Sequence, residues 1–189
     1  RATFEAWVGA ELEIVDFEGF ATGPGQAGAE ELDGDELLPL VALRPGPDAQ
    51  GLFVGIPDAS IPGGNALSFF GDDLVPTSGD AVLSPDLVPD LGSDEPDGVV
   101  VVNLVVPSTG LGVSLLDAEA VPSYLEAFDG PGGTGASLGR VVVQDEAPQA
   151  FAGLGAPGIQ SAILQLGRGA DGVGIDDLSL AVPVPSGSF

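Results

Sequence analysis

Carboxylates are nearly the only side chains in this sequence that could do chemistry. Its 189 residues include 29 acidic and four basic ones, a formal net charge of −25, with no histidine, cysteine or methionine. The four cations are Arg1, Arg44, Arg140 and Arg168, so there is no lysine either. The common general bases and nucleophiles are therefore missing. Ser114 stands in Gly112-Val113-Ser114-Leu115-Leu116, which is not the turn that exposes a serine nucleophile. Paired carboxylates can hydrolyse glycosides, but among 29 acids a pair is no signal. The inventory points away from an enzyme.

What such a chain does well is attract cations. A surface this negative repels phosphate backbones and anionic lipid heads, which argues against nucleic acid and bare membrane as partners. Calcium, sodium or potassium are the expected companions. Asp33, Asp35 and Glu36, in Asp33-Gly34-Asp35-Glu36, look like the start of a calcium loop but lack the acid at the twelfth position. Their plain reading is a solvated acidic turn, as it is for Asp72-Asp73 and for Asp94, Glu95 and Asp97. The acidity itself has two readings. In brine, self-repulsion is screened within about 3 Å at 1 M salt, and a halophilic surface results; alternatively, divalent ions neutralise particular clusters. Sugar binding would need aromatic platforms. The single tryptophan, Trp7, and single tyrosine, Tyr124, are the candidates, with core packing as the plain reading of both.

These residues need a scaffold, and the pattern suits an all-β one. The hydrophobic fraction is 44%, too high for a disordered acidic tail. Thirty glycines and 17 prolines punctuate apolar runs of strand length. Phe4, Trp7 and Val8 have helical spacing, while Phe4, Ala6 and Val8 alternate; a short N-terminal helix is the favoured reading. Strands are expected over 12–20, 37–43, 52–56, 66–70 and, more weakly, 80–84. Val99 to Val106 reads as a strand buried on both faces. Further strands are expected at 112–117, 123–128, 139–144, 149–154, 159–166 and 174–182. No apolar run is long enough to span a bilayer. The reading is one β-sandwich domain over 1–182 and a Pro/Ser/Gly tail over 183–189. The start at Arg1, without methionine, reads as a mature product whose signal peptide has been removed.

Several segments resemble a known family. Phe4-Glu5-Ala6 followed by Ile14-Val15-Asp16-Phe17-Glu18-Gly19 resembles the opening of secreted bacterial jelly-roll domains. Pro107 to Asp117, Tyr124 to Gly130, Phe151-Ala152-Gly153-Leu154 and Gly174-Ile175-Asp176-Asp177-Leu178-Ser179-Leu180 resemble later strands of the same domains. The set is similar to extracellular domains of PEP-CTERM sorted proteins and to carbohydrate-binding-type sandwiches. Val182-Pro183-Val184-Pro185-Ser186 is similar to the sorting signal, with valine in place of glutamate. The resemblance implies a jelly-roll β-sandwich with turn-rich acidic loops. It also implies a calcium ion shared by Glu18 and Asp177, with Asp176 adjacent. Strand alternation would put Asp176 and Asp177 on opposite faces, one of them inward and in need of neutralisation; otherwise both are solvated edge acids.

The expected function is that of a non-enzymatic, extracellular or cell-surface structural protein. It would self-assemble into a filament, sheath or matrix by strand exchange and cation bridging. The apolar segments Ala2 to Val8 and Leu178 to Phe189 would dock on a neighbour. The alternative is a calcium-stabilised, lectin-like module binding glycan through Trp7 or Tyr124, or a fragment of an adhesin.

Overall fold

The computed structural model describes residues 2–8, 12–18, 20, 30–32, 40–46, 51–57, 76–79, 81–84, 98–116, 122–143, 149–167 and 174–181. Within them the chain is an all-β sandwich of jelly-roll type with one short helix, as the sequence implies. Helix α1 spans Ala2–Val8. The strands are β1 (Glu13–Val15), β2 (Glu30–Glu31), β3 (Val41–Pro45), β4 (Phe53–Gly55), β5 (Val82–Ser84), β6 (Val99–Leu116), β7 (Ser123–Phe128), β8 (Ser137–Val143), β9 (Gln149–Gln165) and β10 (Gly174–Leu180). They pair in the order β2-β4-β5-β10-β6-β9-β7-β8, with β1 also on β10 and β3 also on β6.

Two long strands turn this ladder into a sandwich. β6 has 18 residues and β9 has 17. Residues 100–104 of β6 pair with β3 and 99–103 with 161–165 of β9, whereas 110–116 pair with 149–155 of β9 and, over 111–116, with β10. The register shifts on either side of Ser108, as bulges do where a strand bends. The Ser108 hydroxyl lies 2.7 Å from the carbonyl oxygens of both Gly110 and Ala181 and ties the bend to the end of β10. One layer thus consists of β3, the first half of β6, the second half of β9, β7 and β8. The other holds the remaining halves with β10, β1, β5, β4 and β2. Their inner faces share one core: Val100, Val102, Leu125 and Leu164 meet Leu83, Leu111, Val113, Leu115 and Leu178. Each such side chain contributes on the order of 2 kcal/mol by leaving water.

Two expectations about the strands are corrected. Val99 to Val106 is not buried on both faces: Val100 and Val102 point inward, while Val105 and Val106 are largely exposed. The outer face of this layer is uncovered, so alternation returns. The strands expected at 99–106 and 112–117 are one strand, β6, and those at 149–154 and 159–166 are one strand, β9, so Pro107 and Pro157-Gly158 do not interrupt them. They sit inside β6 and β9, where the ladder is irregular and proline's missing N–H removes no regular bond. The expected strand over 66–70, most of the acidic loops and the tail over 183–189 lie outside the described residues.

Candidate functional site

Among the described residues the outer face of the first layer is uncovered and mixes polar side chains with valine and isoleucine. Its outward positions line up in cross-strand rows. One row runs Arg140, Glu126, Ile163, Val101, Arg44 across β8, β7, β9, β6 and β3. Four strand spacings of about 4.8 Å place its two arginines about 19 Å apart. The neighbouring row carries Tyr124 and Gln165, and the next carries Ser161 and Asn103. Alternation explains the placement: Val41 and Leu43 are buried while Arg44 is exposed, and Leu125 and Ala127 are buried while Tyr124 and Glu126 face out.

One end of the row is held rigidly. Arg140 Nε donates to Glu126 Oε2 at 3.0 Å, and a second guanidinium N–H donates to the same oxygen. Ser137 Oγ donates to Glu126 Oε1 at 2.7 Å. The guanidinium also lies 4.1 Å from the centroid of the Tyr124 ring, a cation–π distance. The Ser137 hydroxyl, and then Arg140, hold the Glu126 carboxyl below the usual carboxylate range. Glu126 in turn holds Arg140 above its ordinary value. Tyr124 is therefore on an open face as expected of a ligand-binding residue, but one side of its ring is covered by Arg140.

Toward the other end, the turn Pro131–Gly133 lies on the sheet. Gly132 N donates to Asn103 Oδ1 at 2.6 Å and Gly133 N to Ser161 Oγ at 2.9 Å. The Ser161 hydroxyl donates to Gly130 O at 2.5 Å. Gly133 sits so close to Ile163 that a Cβ there would fall 2.6 Å from its Cδ1. Between turn and β3 opens a cleft of about 420 Å³ lined by Ala42, Arg44, Asn103, Pro131 and Gly132.

The outer face of the second layer is closed. Gly110 pairs with Gly155 and Gly112 with Gly153, giving a floor without side chains. Onto it α1 lays Phe4, Trp7 and Val8: a Cβ on Gly153 would meet Phe4 at 2.7 Å, and one on Gly110 or Gly155 would meet Val8 or Trp7 at 2.5 Å. Phe151 packs beside them, its ring 5.3 Å from Phe4. The indole of Trp7 rests on Gly155 but stays 64% exposed and borders a cleft of about 390 Å³ with Val8, Thr109 and Pro157. Trp7 and Tyr124 thus lie on opposite outer faces and do not form one platform. Of the terminal segments expected to dock on a neighbour, Phe4, Leu178 and Leu180 are buried in their own fold, and 182–189 lie outside the described residues.

The acidic trio expected at a cation is drawn to one loop. Asp176 and Asp177 are both 1% exposed, so neither is a solvated edge acid. Nor do they take opposite faces. A bulge separates Asp176 from Leu178 in the pairing with β6, and Asp177 has φ +45°, a region that aspartate tolerates better than most residues. Asp176 Oδ2 accepts from Thr77 N at 2.6 Å, Thr77 Oγ1 at 2.6 Å and Ser78 N at 2.9 Å, and Asp177 Oδ1 accepts from Ser78 Oγ at 2.8 Å. Glu18 Oε1 accepts from Ala81 N at 2.8 Å, and its carboxyl occupies the space a side chain on Gly79 would need. The three acids hold Thr77, Ser78 and Ala81, yet among the described residues no three acids gather into a metal-binding group. The donors around Asp176 are N–H and O–H groups, where calcium needs further oxygen ligands. Asp33, Asp35 and Glu36 lie outside the described residues.

Arg44, Asn103 and the Pro131–Gly133 turn were not singled out as functional in the sequence. The available signal for Arg44 was its place in Val41-Ala42-Leu43-Arg44, where alternation sends the rare cation outward. Among the described residues no helix is long and apolar enough to cross a membrane. No protein-family model and no curated protein matches the chain. Among solved structures it is similar to the carbohydrate-binding module TmCBM61 in complex with beta-1,4-galactotriose (TM-score 0.46, 14% identity, 79% of this chain and 92% of that one). It is similar also to the K1 cleaved adhesin domain of Lys-gingipain from Porphyromonas gingivalis W83 (TM-score 0.48, 11% identity, 92% and 99%). A third is the catalytic domain of a GH87 alpha-1,3-glucanase (TM-score 0.40, 13% identity, 95% of this chain and 30% of that one). At such identities the reading of the site rests on this chain's own residues.

Proposed function

We propose that this chain is a non-catalytic, extracellular or cell-surface glycan-binding module, and that the glycan lies along the open face of β3, β6, β9, β7 and β8. The observation that carries this reading is the pre-set row from Arg140 and Glu126 to Arg44. It is flanked by Tyr124, Gln165 and Asn103 and is continuous with a cleft of about 420 Å³. Fixed hydrogen-bonding side chains around an open groove suit a hydroxyl-rich ligand, because little ordering remains to be done on binding. A Glu126 held ionised by Ser137 and Arg140 is a hydrogen-bond acceptor and a poor proton donor. Binding to a glycan array, followed by calorimetry on the best ligand with Y124A and R140A variants, tests the proposal. Weakened binding with an unchanged melting temperature is expected. Binding that survives both changes, or no binding at all, refutes it.

Calcium belongs to the same proposal as a stabiliser of the segment 77–81. Two buried neighbouring carboxylates support it, and Thr77 and Ser78 would have to share them with the ion. Thermal melting in calcium and in chelator decides: a higher melting temperature with calcium is expected, and an equal one removes the ion. Assembly by exchange of α1 between copies is a second reading, favoured by the exposed indole of Trp7. Size-exclusion of the chain with and without residues 1–8 separates it from a monomeric module.

A further inference from the structure

The closed face carries one large side chain that its own fold does not bury. Phe4 on α1 is 7% exposed, but Trp7 is 64% exposed. An indole left in water forgoes the burial that stabilises a fold. It is nevertheless fixed in place. Its benzo edge rests on Gly155, where a Cβ would fall 2.5 Å from Cζ3, and the Phe4 ring stands 6.0 Å away at 40°. Beside it lies the cleft of about 390 Å³ that Trp7 borders with Val8, Thr109, Gly155, Ala156 and Pro157. These described lining residues carry no charge, on a chain with 29 acids. Its side-chain polar groups are neutral. The indole N–H is a donor. The Thr109 hydroxyl donates to Ala181 O at 3.2 Å, which leaves its lone pairs for a ligand. Such a lining is small for a protein partner, since a stable interface takes roughly 20–30 residues and 800 Å² from each side.

We propose that the Trp7 cleft is a second glycan site, which takes one or two neutral pyranose rings stacked on the indole, and that the chain thereby bridges two glycan strands. The inference rests on the glycan-binding reading and adds a site to it. A pyranose ring has an apolar C–H face and a rim of hydroxyls. The indole meets the first; its N–H and the Thr109 hydroxyl meet the second. A neutral ring suits this lining. Among its described residues a carboxylate or phosphate finds no cation, and a metal ion finds no carboxylate. The volume is that of a small-ligand pocket. Gly155 and Phe4 already hold the indole, so little ordering opposes binding. Trp7 and Tyr124 lie on opposite outer faces, with two sheets about 10 Å apart between them. A glycan strand lying on one face does not reach the other, so occupying both faces joins two strands.

The test titrates four neutral trisaccharides, galactotriose, cellotriose, laminaritriose and maltotriose, into the full chain. Trp7 is the one tryptophan, so its emission reports this cleft. The expected result is a saturable blue shift, kept in the Y124A/R140A double variant in which the open face is disabled. Calorimetry should find two sites on the unaltered chain, one on the double variant and one on W7F, with melting temperatures kept. The polysaccharide of the same linkage should turn turbid with the unaltered chain and stay clear with either variant; equal turbidity with W7F refutes the bridging. No blue shift with any of the four overturns the Trp7 inference. The glycan reading then stands if calorimetry or the glycan array still shows binding, and falls with it if both are blank. Two sites remaining on W7F place the second one elsewhere and refute the assignment. Should W7F fail to fold, the emission of the double variant decides alone. A blue shift that follows protein concentration without sugar shows a second copy seated on Trp7, and the inference is likewise overturned.

Discussion

The two outer faces of this sandwich are built on opposite rules. One is emptied of side chains: Gly110, Gly112, Gly153 and Gly155 form a bare floor, and a seven-residue helix shuts it with Phe4, Trp7 and Val8. The other is furnished with side chains and left open, and both described arginines stand on it. The layers also treat carboxylates differently. In the closed layer Asp176 and Asp177 are buried and answered by peptide and hydroxyl donors. In the open layer Glu126 is answered by a hydroxyl and also by an arginine. The contrast teaches that function is to be sought where side chains have been placed, since glycine at strand positions marks a surface reserved for the chain itself.

The largest effect is expected at the buried acids. D176A leaves Thr77 N and Ser78 N without their acceptor, and should destabilise the fold by about 3 kcal/mol in urea unfolding. A loss under about 1 kcal/mol would show that the closed layer does not depend on this anchor. Next comes the glycine floor. G153L drives a side chain into Phe4 and Phe151 and should cost about 2 kcal/mol. It should also free α1, seen as lower fluorescence anisotropy of Trp7, the one tryptophan. Unchanged anisotropy would mean that the helix does not close this face. On the open face the expectation reverses. R140A should leave the melting temperature unchanged yet weaken glycan binding about tenfold; a variant that unfolds instead would erase the contrast.

The smallest effect is a titration. Glu126 is depressed below its ordinary 4.5, chiefly by Ser137 and then by Arg140. Its stabilising effect is therefore complete above that value and is lost as pH falls through the lowered one. Carboxyl NMR should find Glu126 titrating below 4.5 in the native chain and closer to it in S137A. Coincident curves in the two proteins would mean that the hydroxyl does not hold the carboxylate.

Much of the scaffold was legible because periodicity reports burial directly. Phe4, Trp7 and Val8 announced α1, and the apolar residues of Ser123 to Phe128 announced β7, although Tyr124, read plainly as core, stands at one of its outward positions. What escaped depended on contacts far along the chain. β6 and β9 each read as two separate strands because local propensity cannot show that a strand bends from one layer into the other. The strand glycines read as turn punctuation because nothing nearby in sequence says a helix will rest on them. Asp176 and Asp177 read as facing apart because a single residue at positive φ overrides alternation. Arg44 and Arg140, 96 positions apart, become one row only once β6, β9 and β7 lie between them.

β6 and β9 each belong to both layers. The two halves are in this sense a single folded ribbon, hinged at Ser108 rather than stacked as separate plates. Neither half can melt and leave its partner intact, so heating should give one sharp transition. A load applied across the molecule would be carried along two unbroken backbones instead of through side-chain adhesion alone.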